Sequence, residues 1–261
     1  MDRRERISHI AQDRDEELLL AHVADKLNAG QTRNVPVSTA FLTKRQQMLI
    51  AQLFPEAELC FFGGGENTER AVCVWLPDYL DQSWLFSEDG PVVCVRADYT
   101  AQTPLSHRDF LGALMGLGIR RETVGDIFTD TEHTDFLILR EILPYVLQNL
   151  ESAGRTRLRL RPLPLSELRV PPPKTKQIRD TVASPRLDAV VSGGFGISRA
   201  KAAELIGAGK AELNYALCQK PDRAVAEGDV ISVRGFGKLR LSALGGVSRK
   251  GRLGIVIERY I

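Results

Sequence analysis

The amino-acid sequence predicts an α+β multidomain protein, and three observations carry that reading. The chain has 261 residues, more than a single domain of roughly 100–150 residues holds. Between Pro91 and Leu163, stretches with strand and helix periodicity follow one another in the order β-α-β-β-α-β. Charge is also segregated: residues 1–154 carry 14 Lys and Arg against 24 Asp and Glu, and residues 155–261 carry 21 against 9. Net charges of −10 and +12 therefore stand behind a total of +2.

A hydrophobic content of 43% and a charged content of 26% are those of an ordinary globular chain. The opening "MDRRERISHIAQDRDEE" lacks an apolar h-region, and nowhere do about twenty apolar residues run together. A cytoplasmic location with no membrane partner is expected. Cys60, Cys73, Cys94 and Cys218 stand far apart without a CxxC pair, so buried reduced thiols are expected and no metal site.

Along the chain, "DEELLLAHVADKLNAG" has the 3.6-residue period of a helix ending at Gly30, and "TKRQQMLIAQLF" opens with the capping-box spacing of Thr43 and Gln46. "AELCFFGGG" and "RAVCVWLP" read as strands joined by a glycine-rich turn. A methyl-donor loop at Gly63–Gly65 is the weaker reading, because a strand rather than a helix follows it. Glu69 and Arg70 read as a surface ion pair. These elements form an α/β domain over residues 1–85.

Next come the strand "PVVCVRADY", the helix "SHRDFLGALMGLG", the strands "TVGDIFT" and "TDFLILR", the helix "EILPYVLQNLES" and the strand "RTRLRLRPL". That order is the ferredoxin-like split βαβ, used also by RNA-recognition modules, and it fills residues 86–165. His107 and Asp109 could serve as an acid–base pair, but Ser106 and Asp109 have helix-cap spacing, which is the better reading. Arg155, Arg157, Arg159 and Arg161 recur at period two, so one strand would put all four on one face. Such a row fits either a second RNA-facing surface or a charged, aggregation-resistant edge. No aromatic stacking motif accompanies it.

Five prolines in "PLPLSELRVPPPKTKQIRD" mark residues 166–184 as a Pro-rich linker, leaving residues 185–261 as the last domain. There "DAVVSGGFGISRAKAAELIGAG" invites a dinucleotide-binding reading, with Gly194, Gly196 and an acidic Glu212 downstream. That fold needs a strand before the glycines and several further βα units. A short helix after Pro185 fits Arg186–Val191 better, which makes the glycines a bend between two helices and removes the cofactor.

The stretch "RLDAVVSGGFGISRAKAAELIGAGKAELN", followed by "QKP" and "EGDVISVRGFGKLRL", resembles the RNA-binding module named after ribosomal small-subunit protein S-four. Arg186, Leu187 and Asp188 match its opening; Ser198, Arg199, Ala202, Leu205 and Ile206 match its helix; Gly209, Leu213, Asn214, Lys220, Pro221, Gly228 and Asp229 match the rest. Phe236 departs from it, standing where a small or basic residue is expected. Together with "GGGENTERAVCVWLPDYL" and "HRDFLGALMGLGIRRETVGDI", these motifs make the chain similar to the bacterial YlmH family. The resemblance implies binding to structured RNA, either rRNA or peptidyl-tRNA on the large ribosomal subunit, in rescue or quality control of stalled translation.

In this module Ser198 caps a helix whose free amides and dipole suit a phosphate, with Arg199 and Lys201 beside it. Arg186, Lys210, Arg223, Arg234, Lys238 and Arg240 extend the positive surface, and "GGVSRKGR" adds Arg249, Lys250 and Arg252 from a loop. The alternative is an RNA-modifying enzyme using the module for targeting, because "RLDAVVSG" partly resembles a pseudouridine-synthase motif with Asp188 as nucleophile. Val191 replaces that motif's threonine, and the RNA-binding pattern fills the remaining sequence, so no catalytic residue, cofactor or small-molecule substrate is expected. A third reading, an interaction protein acting through its acidic half, names no partner.

Overall fold

The computed structural model describes residues 2–55, 59–100, 105–247 and 251–261. They form two compact units, 1–171 and 172–261. The first begins with helices α1 (Arg3–Ile10) and α2 (Arg14–Arg33), strand β1 (Val37–Ser38), helix α3 (Lys44–Leu53), and strands β2 (Leu59–Phe62) and β3 (Val72–Trp75). Capping boxes at Asp2/Glu5 and Thr43/Gln46 start α1 and α3. Helix α2 does not stop at Gly30 but runs on to Asn34, which takes the left-handed conformation at φ 53°. Gly30 lies inside the helix because Val37 packs on it: a Cβ there would sit 2.6 Å from Val37 Cγ2. The strands pair antiparallel in the order β1-β3-β2, and Leu20, Val23, Leu27, Leu49, Ile50 and Leu53 close a core over Cys73.

Strand β4 (Val92–Asp98), helix α4 (His107–Gly116), strands β5 (Val124–Thr129) and β6 (His133–Leu139), and helix α5 (Leu143–Asn149) follow. A small hairpin, β7 (Ser152–Ala153) and β8 (Thr156–Arg157), then leads into β9 (Arg159–Leu163). Pro144 sits in the first turn of α5, where its missing N–H costs nothing. The antiparallel sheet has the order β5-β6-β4-β9, the connectivity of a split βαβ. Phe110, Leu114 and Val146 cover one face, packing on Val93, Val95, Phe136 and Ile138.

The other face is not open. Val92, Cys94, Leu137, Leu139 and Leu163 pack on Phe41, Phe62, Val72, Val74 and Leu85. Residues 1–85 and 86–165 therefore share a core instead of forming separate domains. Alternation that reads as one buried face per sheet hides this, because β4 and β6 are apolar on both faces over half their length.

The expected linker over 166–184 is also corrected. Leu168 and the partly buried Val170 join the core of the first unit, and the break falls at the proline run, 171/172. Beyond it, β10 (Thr175–Val182) is an edge strand paired with β15 (Leu253–Tyr260) over its whole length. Its exposed pattern of Lys, Gln, Arg and Thr masks the strand in the sequence, since only Ile178 and Val182 face the core.

Helices α6 (Leu187–Phe195) and α7 (Arg199–Gly207) are followed by strands β11 (Ala211–Leu213), β12 (Ala216–Leu217), β13 (Val230–Val233) and β14 (Gly237–Val247). The antiparallel sheet runs β10-β15-β14-β13-β11-β12. Leu187, Val190, Val191, Ala202 and Ile206 of the helices meet Ile231, Leu239, Leu241, Ile255 and Ile257. Each such buried Leu, Val or Ile side chain contributes about 1.5–3 kcal/mol.

Candidate RNA interface

The glycine-rich stretch opens the site. Residues 187–195, preceding Gly196, are helical rather than extended, so no strand-to-helix dinucleotide turn exists here. Gly196, at φ 66°, ends α6 in the left-handed conformation that glycine adopts without steric cost. Ser192 Oγ donates to the Ile197 carbonyl at 2.6 Å and fixes the bend. Ser198 then caps α7, accepting from Lys201 N at 3.2 Å.

At this bend the first turns of both helices are tied together. Asp188, in the first turn of α6, accepts from Arg199 Nη2 at 2.7 Å through Oδ2. Arg186 Nη2 lies 3.5 Å from the same oxygen, and Arg186 Nε lies 3.3 Å from Oδ1. The carboxylate is 8% exposed, whereas the Arg186 and Arg199 side chains are 41% and 55% exposed. Backbone bonds from Leu187 N to Arg223 O and from Asp188 N to Pro221 O hold the 221–223 turn against the same helix end.

The remaining sequence candidates are spread over the unit. Lys201 is paired with Glu204 at 2.7 Å. Lys210 and Arg234 are neighbours through an Arg234 N–H to Lys210 O bond of 2.9 Å. Leu239 and Leu241 point into the core, so Lys238 and Arg240 face the opposite side of the sheet from the helices. There Lys238 lies over the Tyr260 ring at 4.9 Å, and Arg240 pairs with Glu258 at 2.9 Å. Arg252 donates to Thr181 through its hydroxyl and carbonyl oxygens. Arg249 and Lys250 lie outside the described residues. Phe236 packs on Phe195 with ring centroids 5.8 Å apart, which explains an aromatic at that position.

The ten candidates among the described residues thus do not form one patch. Arg186, Arg199 and Lys201 gather at the helix starts beside the turn that carries Arg223, while Lys238 and Arg240 occupy the far face. Sequence reasoning missed Asp188 as the organiser, and also Arg259, whose guanidinium lies 5.1 Å from the Phe195 ring centre.

In the first unit the four arginines do not share one strand. Arg155 sits in a turn beside Gly154 at φ 56°, Arg157 belongs to the β7–β8 hairpin, and only Arg159 and Arg161 lie on β9. The left-handed glycine turn breaks the strand, but the period survives: Leu158 and Leu160 pack inward and the arginines stay exposed. Arg161 pairs with Asp98 at 3.3 Å. Among the described residues, Arg155, Arg157 and Arg159 make no ion pair. Arg157 and Arg159 line a cleft of about 900 Å³ with Tyr99, Thr131 and His133.

The sheet face that RNA-recognition modules use for base stacking is occupied here, half by the apolar core and half by Arg96 gripping Asp135 in two 2.7 Å bonds. Asp109 completes the capping box with Ser106, as its spacing predicts. Burial, and secondarily Arg121, lowers the basicity of His107. Arg70 is not half of a surface pair: it donates to the Val124 and Phe41 carbonyls, and Asp126 accepts the Glu69 and Arg70 amides. Burial brings its pKa down to about 10. The Gly63–Gly65 turn closes on Thr68, whose hydroxyl donates to the Gly65 carbonyl at 3.1 Å. Among the described residues no cluster of three metal-ligating side chains occurs, and no helix is long and apolar enough to cross a membrane.

Residues 91–167 match the family described as "Putative RNA-binding domain in YlmH". Over 224 residues the chain is 31% identical to ribosome-associated protein quality control protein P2 of Bacillus subtilis (strain 168), covering 85% of this chain and 86% of that protein. The chain belongs to the YlmH family. A solved structure titled cell division protein ylmH, from Streptococcus pneumoniae, is similar in fold at a TM-score of 0.50 and 21% identity, covering 60% of this chain and 96% of that one. The YlmH segment so described contains the arginine hairpin and ends just before the proline run.

Proposed function

We propose that this YlmH-family chain is a non-catalytic, cytoplasmic RNA-binding factor that works on the large ribosomal subunit. Its ligand is structured rRNA, peptidyl-tRNA or both, and its task is rescue or quality control of stalled translation. The observation that carries this reading is the junction of α6 and α7. Two helix starts are tied by one ion pair and present two exposed guanidiniums, planar forks whose N–H donors suit the oxygens of a phosphodiester backbone. The name of the Bacillus subtilis relative supports the ribosomal setting. Arg223, Lys210, Arg234, Arg249, Lys250 and Arg252 extend the contact, and Arg155, Arg157, Arg159 and Arg161 offer a second surface.

The enzyme alternative needs Asp188 as a nucleophile. Its carboxylate is buried and engaged by Arg186 and Arg199, which favours a structural role. Sedimentation of the full chain with purified ribosomal subunits tests the proposal. Migration with the large subunit at low salt, lost on charge reversal at Arg199 and Lys201, is expected; protein found only in the free fraction sinks it. Modified-nucleoside profiles of RNA from cells with and without the gene should be identical, and any difference restores the enzyme reading.

A further inference from the structure

We propose that Asp188 is a positioning residue for RNA: it holds Arg199 and Arg186 as a two-armed phosphate clamp across the starts of α6 and α7. This inference rests on the reading of the C-terminal unit as RNA-binding. Asp188 is the second residue of α6 and Arg199 the first of α7, so one carboxylate joins the first turns of two consecutive helices. The geometry is one-sided: the carboxylate is 8% exposed, while both guanidiniums reach solvent. An incoming anion meets the cations and is shielded from the carboxylate.

The two arms differ. Arg199 makes a well-formed 2.7 Å bond to Oδ2. Arg186 contacts the carboxylate at 3.3 and 3.5 Å, and neither its Nε nor Asp188 Oδ1 completes a hydrogen bond. Arg199 is thus the fixed arm, and Arg186 is held by charge and free to adapt. Each guanidinium has five N–H donors, so most remain for phosphate oxygens after Asp188 is served. Ordering a loose arginine on binding costs roughly two- to tenfold in affinity. Asp188 meets that cost during folding.

Position and charge make opposite predictions for Asp188→Asn. Removing a negative charge beside two cations strengthens phosphate binding by Coulomb attraction alone, whereas losing the anchor weakens it. Filter binding of the full chain to purified large-subunit rRNA decides between them. Asp188→Asn should bind about five- to tenfold more weakly at fixed salt, with an unchanged slope of log affinity against log salt because no cation is lost. Asp188→Glu should recover part of the loss. Equal or tighter binding by Asp188→Asn overturns the inference. If Asp188→Asn fails to melt cooperatively, the pair Arg186→Lys/Arg199→Lys replaces it: both charges stay, the planar forks go, and the same fall at the same slope is expected. Unchanged affinity of that pair overturns the inference. A wild-type chain that binds neither rRNA nor tRNA overturns the functional reading and the inference together, whereas wild-type binding with an indifferent Asp188→Asn overturns only the inference.

Discussion

Gly194 on α6 stands so close to Leu239 on β14 that a Cβ at Gly194 would lie 2.4 Å from Leu239 Cδ2. In an exposed helix, alanine in place of glycine gains about 1 kcal/mol. Here the sign reverses, because the added methyl overpacks a core whose Leu239 is fully buried, at a cost of about 1–3 kcal/mol. Gly194→Ala should lower the thermal midpoint of the chain. A raised midpoint would show that Leu239 yields freely.

Arg96 and Asp135 make a two-bond pair across β4 and β6, with side chains 20% and 4% exposed. Arg96→Met strands the buried carboxylate and should cost about 3 kcal/mol, the lower end for a buried pair because Arg96 keeps some water. Adding Asp135→Val should recover most of that loss in urea unfolding. A double variant as unstable as the single would show that packing, not the stranded charge, sets the cost.

Burial pushes the thiols of Cys73 and Cys94 up to about 12, from an ordinary value of 9.0. Both should stay silent to a thiol reagent at pH 8 in the native chain and react after denaturation. Because the folded values are raised, their contribution to stability is complete below the ordinary thiol value. It is lost as pH climbs from about 9 toward 12, where only the unfolded chain gives up its protons easily. A midpoint that rises over that window would contradict the burial.

Arg157 and Arg159 are exposed and make no ion pair among the described residues, so replacing both with Gln should leave stability within about 0.5 kcal/mol. If the hairpin touches RNA backbone, the slope of log affinity against log salt falls by roughly 1.4–1.8, because two phosphates are no longer neutralised. An unchanged slope in rRNA binding would remove this surface from the interface.

Much of this molecule is legible in the sequence because the signals are local. Capping boxes at Thr43/Gln46 and Ser106/Asp109, the β-α-β-β-α-β order, and the helix–bend–helix around Gly196 depend on neighbours within a few residues. The cations of the candidate interface were legible by type but not by grouping. Their separation onto two faces follows from strand pairing between residues distant in sequence, as for Arg240 and Glu258 across β14 and β15.

The helices, most strands, the charge division and the identity of the cations are written in local sequence, since propensity, periodicity and caps act over one or two turns of chain. Long-range packing is what lays residues 1–85 over the central sheet, makes an edge strand of the expected linker, and pairs Asp188 with Arg186 and Arg199. Those outcomes turn on which apolar faces find each other and on which carboxylate is shut away from water. Packing settles both between segments far apart in sequence, and no local pattern encodes the distance at which they meet.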